Sequence, residues 1–82
     1  MKTILITGTS SGIGLSSVKI FSEKGFQVLA TMRNPESDKE VSKLKNVKVF
    51  KLDITKYDEM KILISELQKE YDIDVLFNIK FI

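Results

Sequence analysis

The stretch Thr7-Gly8-Thr9-Ser10-Ser11-Gly12-Ile13-Gly14 (TGTSSGIG) joins an apolar run, Thr3 to Thr7 (TILIT), to a segment of helical spacing that begins at Gly12. The run before it is β-branched and apolar without alternation, the pattern of a strand buried on both faces of a parallel sheet. After it, Ile13, Leu15, Val18 and Phe21 are expected along one side of a helix, and Gly25 stands where a left-handed helix stop is wanted. A glycine-rich loop between a strand and a helix has the makings of an anion cradle. Gly8 allows the turn out of the strand, Gly12 admits a pyrophosphate to the backbone, and Gly14 lets the helix lie close against the sheet. The helix that follows aims unpaired amides and the positive end of its dipole at the anion, and the hydroxyls of Ser10 and Ser11 can add donors. The same glycines also suit a tight strand-to-helix turn that holds no ligand.

Working outward, Phe26–Met32 (FQVLATM) reads as a second strand, and Pro35–Asn46 as a polar segment with a short helix around Val41 and Leu44. Val47–Ile54 (VKVFKLDI) is a third strand. Thr55–Tyr71 is a helix opened by a Thr55-x-x-Asp58 capping box, with Tyr57, Met60, Leu63, Ile64, Leu67 and Tyr71 on one stripe. Ile73–Ile79 is a fourth strand. This β-α-β-α-β-α-β alternation predicts an α/β fold. Right-handed crossovers place the first two helices on one face of the sheet and the third on the other, with four parallel strands in order 3-2-1-4. The expected unit is a partial Rossmann-type fold, residues 1–82 forming a single incomplete domain whose topological switch point opens beside Thr7–Gly14.

At 82 residues the chain is at most one small domain, whose core only just offsets chain entropy. Its 43% hydrophobic and 29% charged content suits a globular domain. Thirteen basic and 11 acidic residues, evenly scattered, leave a net charge of +2, too small for a nucleic-acid or membrane-surface footprint. With no cysteine and no histidine, disulfides, thiolate chemistry and the usual soft zinc ligands are excluded, and a reducing, cytoplasmic setting fits best. "MKTILITG" reaches glycine before a signal-peptide core forms, so Met1 is read as a true start and no membrane partner is expected.

Three motifs in order, TGTSSGIG, Leu52-Asp53-Ile54-Thr55 (LDIT) and Asp74-Val75-Leu76-Phe77-Asn78 (DVLFN), resemble those of the short-chain dehydrogenases/reductases. The first is similar to the family's T-G-x-x-x-G-I-G. The resemblance covers nearly the whole chain and implies an NAD(P)(H) cofactor and hydride transfer to or from an alcohol or carbonyl substrate. It also implies that Asp53 holds the adenine amino group and that the Ile54 amide meets an adenine ring nitrogen. Without the family, a turn or cap residue is the alternative reading of Asp53. Asn78 resembles the first asparagine of the family's D-x-L-x-N-N-A-G, but Ile79-Lys80-Phe81 then replace Asn-Ala-Gly and remove the glycine that lets the chain pass the ribose.

An acidic residue that would hold a ribose 2′-hydroxyl is expected about 20 residues past the glycine loop; Met32 stands there, followed by Arg33. The order resembles family members that prefer NADP(H), where the guanidinium pairs with the 2′-phosphate. NADP(H) is therefore expected over NAD(H), the alternative being that Arg33 is a solvated surface side chain. The family's acid–base tyrosine, its lysine four residues on and its serine have no counterpart in these 82 residues. One Tyr-x-x-x-Lys, Tyr57 to Lys61, falls in the first turn of the helix after strand three and is read as coincidence. The chain looks cut short after strand four, whose edge, with Leu76, Phe77, Ile79, Phe81 and Ile82, is a template for self-association or for pairing with a partner. Three functions stand open: an inactive cofactor half of an oxidoreductase, a nucleotide-binding or partner-completed module, and a non-functional remnant.

Overall fold

The computed structural model describes residues 1–10 and 12–78; Ser11 and the expected end of strand four, Ile79 to Ile82, lie outside the described residues. The elements run β1 (Thr3–Ile6), α1 (Gly12–Glu23), β2 (Gln27–Met32), β3 (Val47–Lys51), α2 (Tyr57–Glu70) and β4 (Val75–Phe77). The strands form one parallel sheet in the order β3-β2-β1-β4, as the alternation predicts. Ile4 pairs with Val28 and Val75, Leu5 with Leu29 and Leu76, and Ile6 with Ala30 and Phe77.

The period-two alternation of a strand divides the apolar residues between two layers. Ile4, Ile6, Val28, Ala30 and Met32 pack with Val18 of α1, while Leu5 and Leu29 pack with Leu67 of α2. Both faces of β1 and β2 are covered, which is why neither sequence alternates with polar residues. The end of α1 is closed by the amide of Gly25 donating to Ser22 and that of Phe26 to Phe21, at 3.1 and 3.0 Å, with Gly25 at φ 85°. This paired arrangement satisfies the last carbonyls of a helix.

Four expectations are corrected. Of the three helices, two form; the segment after β2 makes instead short 3₁₀ turns at Pro35–Ser37 and Val41–Lys43. The Asp38 carboxylate accepts from the amides of Glu40, Val41 and Ser42 at 3.1, 2.9 and 2.8 Å, and such side-chain bonds to the backbone compete with helix formation. Val41 is still buried in the α1 layer, so the segment covers the face assigned to it. The Thr55–Asp58 capping box does not form. Thr55 donates through its hydroxyl, at 2.6 Å, and its amide, at 3.0 Å, to Asp53 Oδ1, and α2 starts at Tyr57 without a side-chain cap.

Tyr57 and Ile13 leave the stripes expected for them, at 64% and 66% exposed. Tyr57 opens α2, beyond the cluster of Leu63, Ile64 and Leu67. Ile13 lies five residues before Val18, about 140° around a helix of 3.6 residues per turn. Among the described residues the outer strands are shorter than expected: β3 runs Val47–Lys51, with the Leu52 amide still donating to the Met32 carbonyl at 2.9 Å, and β4 runs Val75–Phe77.

Candidate cofactor site

The first part of the loop between β1 and α1 is tied down at two points. The Thr7 amide donates to Phe77 at 3.1 Å, extending the β1–β4 ladder by one rung. The Thr9 amide and hydroxyl both donate to the Thr31 carbonyl at 3.1 Å, which fastens the loop to β2. Gly8, between these anchors, and Gly12, at the start of α1, take φ of 65° and 59°, a region that costs an L side chain roughly 1–2 kcal/mol. A Cβ on Gly14 would overlap the Gly8 carbonyl oxygen, so the start of α1 is held against the loop by the absence of a side chain. A Cβ on Gly12 would meet nothing within 4 Å, leaving open space above that backbone.

The first amides of α1 have no partner within the helix, and no acidic residue in its first turn opposes the positive dipole end. Such an arrangement of amides is suited to receive an anion. Beside the loop lies a cleft of about 250 Å³ whose walls include Gly8, Ser10, Met32, Arg33 and Ile54. Met32 is buried, while Arg33 and Ser10 are exposed at the rim.

Asp53 sits just beyond Arg33, whose Nε is 3.9 Å from Asp53 Oδ2. The Thr55 hydroxyl and then the Thr55 amide hold the Asp53 carboxyl below its ordinary value; burial opposes them, and the charges of Arg33 and Lys56 assist. Because both Thr55 donors use Oδ1, Oδ2 is left facing Arg33. Asn78 is brought to the other side of the loop, where the Thr7 hydroxyl donates to its Oδ1 at 2.9 Å.

Residues 2–79 match the family model described as short chain dehydrogenase. The chain belongs to the short-chain dehydrogenase family. It is 40% identical over 80 residues to 3-amino-tetrahydro-pyrrolizinone reductase from Xenorhabdus hominickii, covering 94% of this chain and 27% of that protein. Among solved structures, ElxO with NADP bound superposes with a TM-score of 0.85 at 30% identity, over 99% of this chain and 35% of that one. 4-Hydroxyisoleucine dehydrogenase complexed with NADH gives 0.73 at 30% identity, over 93% and 31%. The chain therefore spans about a quarter to a third of the length of these relatives.

Within this short-chain dehydrogenase segment, Gly8, Ser10, Arg33 and Ile54 converge on one cleft, Asp53 adjoins it through Arg33, and Asn78 reaches the loop through Thr7. Ile13 is exposed in the first turn of α1, and Ser11 lies outside the described residues. Sequence reasoning missed Asn34, which borders the same cleft, Thr9, and Thr55 as the group that orients Asp53. An Asp with a Thr two residues on is a signal for the last of these, because their side chains form a local turn. Tyr57 is exposed with the Lys61 ammonium 5.5 Å from its ring centroid, over the face of the ring.

Proposed function

We propose that the chain binds NADP(H) in preference to NAD(H) and forms the cofactor-holding part of an NAD(P)-dependent oxidoreductase acting on an alcohol or carbonyl. The carrying observation is the glycine loop itself: Gly14 is pressed onto Gly8, open space lies above Gly12, and both stand at the start of α1. In this reading the Gly12–Gly14 backbone, including the Ile13 amide, receives the pyrophosphate with Ser10 and Ser11. Asp53 Oδ2 accepts from the adenine amino group and the Ile54 amide donates to a ring nitrogen. Asn78, with its oxygen held by Thr7, faces the ribose side. Relatives with NADP and with NADH both share the fold, which supports a nicotinamide dinucleotide.

Arg33 carries the preference. It is exposed at the cleft rim, and buried Met32 offers no carboxylate to a free 2′-hydroxyl. A charge-assisted hydrogen bond contributes roughly 1.5–3 kcal/mol, and exposure brings that toward its lower end, so NADP(H) binds about tenfold tighter. Calorimetry with NADPH and NADH tests this: Arg33→Ala removes most of the difference, and Met32→Asp reverses it. Equal affinities unaffected by Arg33→Ala would return Arg33 to the surface, and failure of both cofactors to bind a folded chain would favour a remnant.

The 82 residues alone transfer no hydride in this reading, because Tyr57 and Lys61 lack the setting of a catalytic pair. Steady NADPH consumption over a carbonyl panel, abolished by Tyr57→Phe, would contradict this. The location proposed is cytoplasmic, without nucleic-acid or membrane partners; among the described residues no helix is long and apolar enough to cross a membrane. A second reading, a module completed by another strand, is favoured by the exposure of Val75, Leu76 and Phe77 on β4.

A further inference from the structure

A second cleft, of about 400 Å³, opens between the glycine loop and the segment after β2, with Ser10, Arg33, Asn34 and Lys39 among its walls. It shares Ser10, Met32, Arg33 and Asn34 with the cleft beside the glycine loop, so in the proposed reading a group carried on the adenosine ribose would reach both. The segment after β2 is fixed rather than loose. Asp38 takes up the amides of Glu40, Val41 and Ser42, and Val41 is 1% exposed in the α1 layer. Lys39 is thus bracketed by two anchored residues.

The charges on this segment are unequally engaged. Asp38 directs both carboxylate oxygens at backbone amides, and Glu40 pairs with Lys19 at 3.2 Å. Lys39, by contrast, has no ion pair among the described residues, and Arg33 has only the 3.9 Å contact with Asp53. Two cations therefore border a cleft whose acids are already occupied. An incoming dianion meets both.

We infer that Lys39 is a second specificity-determining cation, contacting the cofactor's 2′-phosphate together with Arg33 in the cleft that both residues line. The inference rests on the proposed preference for NADP(H) and names the group that completes it. Lys39 acts as a point charge on a flexible stem, while Arg33 supplies directed donors. Its contribution is smaller than that of Arg33 and more sensitive to salt.

The test uses the 82-residue chain with adenosine 2′,5′-bisphosphate and 5′-AMP, fragments that differ only in the 2′-phosphate, titrated at low and at physiological salt. Lys39→Gln is expected to weaken the bisphosphate about threefold, within the range for an exposed charge pair, and to leave 5′-AMP unchanged; Lys39→Arg retains the affinity. The loss shrinks as salt rises. If Lys39→Gln changes neither nucleotide while Arg33→Ala weakens the bisphosphate, the inference fails and the reading of Arg33 stands. Equal losses for both nucleotides would mark a general electrostatic attraction and also overturn it. Indifference of bisphosphate binding to both substitutions, or no binding of either nucleotide, would overturn this inference together with the reading on which it rests.

Discussion

Leu5 and Leu76 are the same residue, directly paired in adjacent parallel strands, yet Leu5 is 1% exposed and Leu76 53%. Their neighbours repeat the contrast in weaker form, Ile4 and Ile6 fully buried against Val75 and Phe77 at 42% and 36% exposed. The strands differ in position rather than in composition: β1 has a strand on each side and a layer on each face, whereas β4 pairs only with β1 among the described residues. The opposite edge, β3, is treated differently again. Leu44 beside it and its own Val47 and Val49 pack onto the α1 layer, under the segment pinned by Asp38. Apolar sequence makes a strand; what lies over it makes the strand a core.

The largest expected effect follows from that pair. Leu5→Ala costs about 2–5 kcal/mol, the range for emptying a buried leucine site, whereas Leu76→Ala costs under about 1 kcal/mol. Urea unfolding followed by circular dichroism measures both, and equal costs would break the comparison. Next, the open edge is expected to associate, since unpaired strand amides beside apolar side chains template a further strand. Sedimentation at high micromolar concentration is expected to show dimers or larger species in the native chain and monomers in a Leu76→Lys, Phe77→Lys variant. A compact native monomer would contradict the proposed self-association.

A smaller effect concerns the covered edge. Burial alone would raise the Asp38 carboxyl, but the amides of Ser42, Val41 and Glu40 outweigh it and pull the value from 3.8 to about 2. A depressed carboxyl contributes stability that is whole above its unfolded value and is lost as pH falls through the folded one. This contribution therefore declines from about pH 4 and is gone below about pH 2. Asp38→Ala is expected to cost about 1 kcal/mol at neutral pH, as for loss of a cap, and to flatten this part of the acid profile measured against urea.

The sheet order and glycine loop were legible because each is encoded locally: unbroken apolar runs for β1 and β2, three glycines at fixed spacing, and right-handed crossovers for the rest. The misread elements are those where side chains redirect the backbone. Val41 and Leu44 are spaced as on a helix, but Asp38 spends its oxygens on the amides of a tighter turn. Thr55 has the right spacing for a capping box, but the Asp53 carboxylate two residues earlier claims both of its donors. At the candidate site, motif and spacing point to Gly8, Arg33 and Ile54, while the approach of Arg33 to Asp53 and the meeting of Ser10 and Lys39 at one cleft depend on how distant segments fold together. No local pattern records them.

The central claim, that the TGTSSGIG loop is a dinucleotide cradle, is tested most directly by titrating isotope-labelled chain with NADPH and following its amide resonances. The expected result is saturable shifts, largest at Gly8, Gly12 and Gly14 and at Ile54, smaller shifts at Arg33, and none along α2 from Leu63 to Glu70. A folded chain whose loop amides stay still at millimolar NADPH, or whose shifts gather on α2 or β4 instead, would contradict it.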